Sequence, residues 1–214
     1  MWNIVFAVAI SLVQVIAVLL MEKKYDCLKK ESCNNKFWVL HGIILVLSCL
    51  LNMMLFRQMG NDWLLLVNFI MIYTVVQISG VIDFHCHKIP NSVLLMGAGV
   101  RILILLLIFI FSREFFATEL IMSLVGCIVS LLVMLLISIV SKQGIGYGDV
   151  KLYACLGLYL GIMDTYYILF YAALLAALYA AYFLLSKKGN RKSRIPFGPF
   201  TYLGFVLVYL FSFM

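Results

Sequence analysis

Apolar runs of about 20 residues recur along the chain between short polar linkers, and each run is long enough to span a bilayer as a helix. The 214 residues are 65% hydrophobic and only 12% charged. A soluble domain of this size could not bury so much apolar surface. Backbone groups must be paired inside hydrocarbon, and strands of alternating polarity are absent. We therefore predict an all-α, polytopic membrane protein with about eight transmembrane helices.

The spans follow from a hydropathy window of about 20 residues. They cover residues 2–21, 38–56, 63–82, 92–111, 119–140, 150–163, 165–185 and 197–213. The sixth is short and Asp164 interrupts the run after it, so we expect it to tilt or to lie partly at the interface. The first span lacks a basic leading segment and a small-residue cleavage site, which favours a retained helix over a signal peptide. We expect an N-terminal hairpin over 1–62 and a catalytic membrane domain over 63–214.

Basic residues are concentrated on one side of the predicted bundle. Of the 16 Lys and Arg residues, 13 lie in linkers 22–37, 83–91, 141–151 and 186–196. These linkers share one side when there are eight spans, and a Lys/Arg excess marks the cytoplasmic side. The net charge of +7 is therefore explained by orientation and membrane lipids, and we expect no nucleic-acid partner.

Two aspartates lie at the ends of apolar runs, in Val81-Ile82-Asp83-Phe84 and Gly146-Tyr147-Gly148-Asp149. Carboxylates at such positions are costly and are usually functional. The span count places Asp83 and Asp149 on the same face. Two close carboxylates that share a proton can activate water and protonate a leaving amine. The alternative is that each Asp caps a helix or lies at the headgroup level, but two on one face favour an aspartyl hydrolase.

Residues next to the aspartates are expected to support this site. Gly146 and Gly148 belong to a run with glycine at alternate positions, which lets a helix or an extended substrate approach Asp149. Lys151 either lowers the cost of a nearby carboxylate or binds lipid phosphate. Pro90 favours an extended entry to the fourth span, which Asn91 can cap.

Other polar residues in and near the spans receive structural interpretations. Adjacent residues rarely all face one ion, so we expect His85-Cys86-His87 to bind no metal, and we expect no cofactor. The scattered cysteines favour reduced thiols. His41 is expected at the interface, and Arg101 is expected to snorkel or to pair with an acid. Gly157 and Gly161 permit close helix packing.

Three segments together resemble the type IV prepilin peptidases, a branch of the Gly-x-Gly-Asp intramembrane aspartyl proteases. They are Gly146-Tyr147-Gly148-Asp149, Asp83 followed by Ile89-Pro90-Asn91, and Ile195-Pro196-Phe197-Gly198-Pro199-Phe200. The resemblance implies that Asp83 and Asp149 are the catalytic pair. It also implies cleavage of the short basic leader of a prepilin or pseudopilin, at the cytoplasmic face of the bacterial plasma (inner) membrane. Such a leader ends just before the apolar helix of the pilin.

The N-terminal region departs from the pattern of this family. Many members carry a large cytoplasmic insert with two Cys-x-x-Cys pairs, associated with N-methylation. Here the linker from Glu22 to Phe37 offers only Cys27 and Cys33, so four zinc ligands are not available there. We therefore predict that methyltransferase activity is absent.

Three other functions fit part of the sequence. A proton-coupled transporter would need acidic groups near the middle of the bilayer and repeat symmetry, and neither is evident. A presenilin-like protease would share Gly-x-Gly-Asp but usually carries a Pro-Ala-Leu motif, which is absent here. A non-catalytic assembly factor would keep its function after an Asp→Asn substitution.

Overall fold

The computed structural model describes residues 2–25, 35–59, 62–141, 145–186 and 195–212. Within these ranges the regular secondary structure is α-helical. The helices are α1 (Trp2–Lys24), α2 (Asn35–Met59), α3 (Trp63–Cys86), α4 (Asn91–Phe111), α5 (Arg113–Val140), α6 (Tyr147–Leu185) and α7 (Gly198–Ser212).

The length and composition of these helices confirm a polytopic membrane fold. Six of the described helices, α1 to α6, are long and apolar enough to cross a membrane, and α7 is a shorter apolar helix. Large apolar side chains on their outer surfaces are exposed, as Leu95, Ile110 and Val140 illustrate. In a bilayer these side chains face lipid, so their exposure has no cost.

Helix α6 is two antiparallel arms rather than one rod. Its backbone breaks at Gly161, where φ is 73° and ψ is −164°, a conformation that is essentially restricted to glycine. Tyr153 of the first arm and Leu169 of the second line the same cavity of about 40 Å³ beside α5. In a straight helix these residues would be about 24 Å apart. The chain therefore reverses at Gly161, and the two arms correspond to the sixth and seventh predicted spans.

The position and cause of this break differ from the prediction. We expected Asp164 to interrupt the apolar run, but Asp164 lies within the second arm, where its Oδ2 accepts a hydrogen bond of 3.0 Å from the Tyr209 hydroxyl. The first arm, from Tyr147 to Leu160, is about 21 Å long by helix geometry. The predicted shortness of the sixth span is thus confirmed, and glycine conformation provides the reversal.

Glycines bring the first arm of α6 against α5. A Cβ atom added to Gly157 would lie 2.2 Å from the carbonyl oxygen of Gly126, and one added to Gly126 would lie 2.7 Å from the Cα of Gly161. The two backbones therefore touch directly, as Gly-x-x-x-Gly spacing favours in membranes.

Helix α3 is the most deeply buried helix of the bundle and packs against α1, α2, α4, α6 and α7. Helix α7 runs antiparallel to it, because Gly198 meets Asp83 at one end of the pair and Tyr209 meets Phe69 toward the other. The C-terminal end of α3, the N-terminal end of α7 and the start of α6 consequently lie at one end of the bundle. We refer to it as the dyad end, because it holds Asp83 and Asp149.

Candidate active site

Asp83 lies in the last turn of α3, one turn before the helix ends. His87 terminates the helix in the left-handed conformation, with φ 51° and ψ 37°, and its N–H donates to the Asp83 carbonyl. The Asp83 side chain is 6% exposed. Its Oδ2 accepts a hydrogen bond of 2.8 Å from the backbone N–H of Gly198. The carboxylate is therefore fixed between two helices.

Gly198 contributes more to the site than the sequence motif indicated. A Cβ atom at this position would lie 2.8 Å from Asp83 Cβ and 2.9 Å from Asp83 Oδ2. On the facing helix, a Cβ atom at Gly80 would lie 3.1 Å from the Gly198 carbonyl oxygen. The two glycines thus let α3 and α7 approach until a backbone N–H reaches the carboxylate. The Pro196-Phe197-Gly198 motif marked this position, but its spacing gave no sign that it touches Asp83.

Asp149 lies in the first turn of α6, after Gly146 in the N-cap position. Its backbone N–H donates to the Gly146 carbonyl at 3.1 Å. The side chain is 7% exposed, and its Oδ1 has no hydrogen-bond partner among the described residues. A buried carboxylate oxygen without a partner is unusual, and this one can still accept a hydrogen bond.

The two aspartates meet because α6 and α7 pack together at the dyad end. Tyr153, one turn beyond Asp149, is fully buried. Its ring centroid lies 6.2 Å from that of Phe197, and its hydroxyl is 3.3 Å from Thr201 Oγ1. Phe197 directly precedes Gly198, which contacts Asp83. Packing of Tyr153 on Phe197, and the bond from Gly198 to Asp83, therefore place the two aspartates at the same end of the bundle.

The predicted supporting residues surround this pair. A Cβ atom at Gly148 would lie 3.0 Å from Ile89 Cβ, so the glycine admits the segment that enters α4. Lys151 Nζ donates a hydrogen bond of 3.1 Å to Asn91 Oδ1 across the same boundary. Pro90 is extended, with φ −73° and ψ 120°, and no side chain caps α4. The expectation that Asn91 caps this helix is therefore wrong, and its side chain binds Lys151 instead.

A second polar cluster joins the N-terminal hairpin to the dyad end. Glu22 is fully buried, and its Oε2 lies 3.0 Å from Nε2 of His41, which is 4% exposed. His41 is therefore buried against Glu22, and its expected position at the membrane interface stays a prediction. Glu22 Oε1 lies 3.5 Å from Nε2 of His85, two residues beyond Asp83.

The structure also places Cys86 in a disulfide, which corrects the expectation of reduced thiols at this position.

This geometry suits acid and base catalysis by a carboxylate pair. Both aspartates are buried and lie at helix ends. Phe84, which follows Asp83, is 51% exposed, and Tyr147, two residues before Asp149, is 63% exposed. These aromatic surfaces could receive an amphipathic peptide at the membrane boundary.

Comparison with known proteins identifies related sequences. A model of the type IV leader peptidase family matches residues 69–181. A Bacillus subtilis protein named prepilin leader peptidase/N-methyltransferase is 30% identical over 137 residues, which cover 63% of this chain and 52% of that relative. Proteins of the same name from Xanthomonas campestris and Aeromonas salmonicida are both 37% identical over 59 residues.

The matches to the Xanthomonas and Aeromonas relatives are short. The 59-residue matches cover 28% of this chain, and 21% and 20% of the two relatives. The chain thus spans about half of the Bacillus relative and about a fifth of the other two. No solved structure matches the chain. Because the family match covers more than half of the chain and includes both Asp83 and Asp149, this protein belongs to the type IV leader peptidase family.

Proposed function

We propose that this protein is a membrane aspartic endopeptidase that removes the leader peptide of a type IV prepilin or pseudopilin. Asp83 and Asp149 form the catalytic pair. The observation that carries the proposal is that two buried carboxylates lie at one end of the bundle, although they are 66 positions apart in the sequence. Family membership supports this choice of reaction and of substrate class.

The reaction needs one carboxylate in each protonation state. The ionised aspartate removes a proton from water, which attacks the scissile carbonyl carbon, while the protonated aspartate donates a hydrogen bond to the carbonyl oxygen. The tetrahedral intermediate collapses when the aspartate that took the proton from water donates it to the amine of the pilin, which breaks the C–N bond and restores the ionised carboxylate. The Gly198 N–H holds Asp83, whereas Asp149 retains the oxygen that can bind water. The pair lies at helix ends, which distinguishes it from the mid-bilayer carboxylates of a proton-coupled transporter.

We place the dyad end at the cytoplasmic side of the bacterial plasma membrane. The Lys/Arg-rich linkers favour that orientation. The disulfide at Cys86 argues the other way, because disulfides persist in oxidising compartments. The 13 basic residues in linkers on this side of the bundle carry the proposed orientation.

Thiol labelling of intact cells tests this orientation with a matched pair. Gln58 and Lys88 are both exposed and lie at opposite ends of the bundle. A membrane-impermeant maleimide should label a Gln58→Cys variant and leave Lys88→Cys unlabelled until the cells are lysed. The reverse pattern would place the dyad end outside the cytoplasm and refute the orientation.

Methyltransferase activity is proposed to be absent, on the grounds of the short linker between α1 and α2. The relatives carry N-methyltransferase in their names, so this proposal needs its own measurement. The linker lies mostly outside the described residues. Mass spectrometry of the cleaved pilin, after incubation with S-adenosylmethionine, should show an unmodified N-terminus, and an added 14 Da would refute this part of the proposal.

The endopeptidase activity is tested with purified protein and a full-length prepilin in lipid. The wild-type protein should release the leader, and N-terminal sequencing should place the cut at the end of the leader. Asp83→Asn and Asp149→Asn should each abolish cleavage. Asp62→Asn is the matched control, because Asp62 is exposed at the opposite end of α3. Full activity in either dyad variant would refute the catalytic assignment.

A further inference from the structure

We propose that Arg101 is a positioning residue for the reaction, because it fixes the depth at which Asp149 meets Asp83 from the opposite end of the helix. This inference rests on the proposed function. Arg101 lies in the middle of α4 and is 3% exposed. An arginine within a membrane span is costly unless all its donors are satisfied, so its contacts indicate what it does.

The guanidinium group of Arg101 joins four helices. Its Nε donates to the Leu158 carbonyl of α6 at 3.1 Å, and its Nη1 donates to Asn68 Oδ1 of α3 at 2.7 Å. Its Nη2 donates to Glu119 Oε2 at 2.9 Å and to Ser123 Oγ at 2.7 Å, both on α5. None of these partners belongs to the dyad, so any effect of Arg101 on Asp149 must pass through α6.

Arg101 and its partner Asn68 bind backbone carbonyl groups at the end of the first arm of α6. The last carbonyl groups of a helix have no partner within the helix and carry partial negative charge. Arg101 binds the carbonyl of Leu158, and Asn68 Nδ2 donates to the carbonyl of Tyr159 at 3.4 Å. The Tyr159 hydroxyl donates in turn to the Gly97 carbonyl of α4 at 2.6 Å. Directional bonds therefore hold the arm just before it reverses at Gly161.

The flank of the same arm packs closely against α5. At Gly157 this contact is made with the backbone of Gly126 and with Ser130 Oγ. Nearer the dyad end the arm makes an exposed bond of 3.1 Å from Lys151 to Asn91 and a buried one of 3.3 Å between the Tyr153 and Thr201 hydroxyls. Arg101 and its neighbours provide the buried bonds at the opposite end of the arm, and we assign its axial position to them.

A helix transmits an axial shift along its length. Leu158 lies nine residues after Asp149, which corresponds to about 13 Å along the axis. A displacement of about 1 Å of a reacting group can lower a rate by on the order of 100-fold. Loss of Arg101 should therefore lower turnover while leaving substrate binding at the distant dyad end nearly unchanged.

The competing interpretation is that Arg101 serves stability through its ion pair with Glu119. The Glu119 side chain is 39% exposed, and pairs of that kind usually contribute little. The two interpretations differ in which partner matters. If Arg101 positions α6, the carbonyl of Leu158 matters and Glu119 is dispensable; if the ion pair matters, removal of either charge has the same effect.

Steady-state cleavage of a prepilin by five variants separates these interpretations. We expect Arg101→Gln to lower kcat about 10-fold to 100-fold, with KM within about twofold of wild type. Arg101→Lys should recover part of this loss, because an ammonium group can still bind one carbonyl. Asn68→Ala should give an intermediate loss and Glu119→Gln almost none. Arg113→Gln is the matched control, because Arg113 lies over the Phe109 ring at the same end of the bundle.

A distance measurement supplies the readout that loss of stability alone would not change. Phe84 on α3 and Tyr147 on α6 are exposed aromatic residues near the two aspartates. Each can be replaced by p-acetylphenylalanine, to which a spin label is then attached. Their distance distribution should shift or broaden by about 1 Å in Arg101→Gln and stay unchanged in Glu119→Gln. If Arg101→Gln does not fold, Asn68→Ala carries the same test.

Three results would overturn the inference while leaving the endopeptidase proposal intact. They are an unchanged kcat in folded Arg101→Gln or Asn68→Ala, an equal loss in Glu119→Gln, and an unchanged distance distribution despite lost activity. Failure of the wild-type protein to cleave any prepilin would instead refute the proposed function itself.

Discussion

Substitution of Gly198 by alanine tests whether its close contact with Asp83 supports catalysis. The new Cβ would lie 2.8 Å from Asp83 Cβ and 2.9 Å from Oδ2, whereas carbon atoms in contact are about 3.5 to 4.0 Å apart. The two helices or the carboxylate must therefore move by about 0.7 Å or more. Overpacking of this size costs about 1–3 kcal/mol.

The same shift would weaken the hydrogen bond of 2.8 Å from the Gly198 N–H to Asp83. Bonds to charged groups contribute about 1.5–3 kcal/mol. Loss of this bond, together with misplacement of a reacting carboxylate, should lower kcat by on the order of 100-fold. KM should change less than about threefold, because the substitution displaces a reacting carboxylate and removes no side chain that could bind the substrate.

The assay is the rate of prepilin cleavage in lipid, with the free energy of unfolding measured on the same preparations. Gly99→Ala is the matched control, because a Cβ atom at Gly99 would have nothing within 4 Å. This control should cleave at the wild-type rate and gain a few tenths of a kcal/mol to about 1 kcal/mol in stability from the helix preference of alanine. A Gly198→Ala variant that cleaves within about twofold of wild type would show that this contact does not hold Asp83 in its reactive position.

Two further substitutions test the packing and polar contacts that support the site. Gly157→Ala should separate α6 from α5 by about 1 Å, lower the stability by about 3 kcal/mol or more and reduce cleavage, since its Cβ would lie 2.2 Å from the Gly126 carbonyl oxygen. Glu22→Ala should lower the free energy of unfolding in detergent by about 3 kcal/mol, because removal of one partner leaves a buried histidine without its acid; a change under about 1 kcal/mol would show that this cluster is not stabilising.

Hydropathy predicted most of the helices, because each apolar run must cover its own backbone in lipid. The reversal at Gly161 was harder to place, since the sequence stays apolar through it and Asp164 was the more conspicuous interruption. A glycine that takes a positive φ looks in sequence like one that permits close packing. Gly157 packs closely against Gly126, whereas Gly161 takes the positive φ and also lies close to Gly126. Local sequence therefore could not distinguish their roles.

The motifs located Asp83 and Asp149, whereas the contacts that hold them come from distant parts of the chain. Gly198 reaches Asp83 across 115 positions, and Arg101 reaches Leu158 across 57. For Arg101 the sequence left two interpretations open, either that the side chain snorkels to the membrane surface or that it pairs with an acid. The structure shows the pairing with Glu119, and also the carbonyl contact, which follows from the reversal and could not be predicted without it.

The N-terminal hairpin and the predicted catalytic domain share one buried polar network. The Tyr73 hydroxyl of α3 lies 3.0 Å from Ser48 Oγ of α2 and 3.0 Å from the Tyr202 hydroxyl of α7. Gln77 Nε2 also donates to Ser48 at 3.1 Å. The predicted boundary at residue 62 divides the sequence, and the polar network crosses it.

This network has a consequence for the site. Helix α3 carries Asp83 and α7 carries the N–H that binds it, so any change in the spacing of these two helices changes the environment of the carboxylate. The hydroxyl chain through Tyr73 sets that spacing in the interior, and Ser48 of the hairpin completes it. Buried polar groups are costly when one partner is missing. We therefore expect the hairpin to influence the dyad through the distance at which α3 and α7 pack.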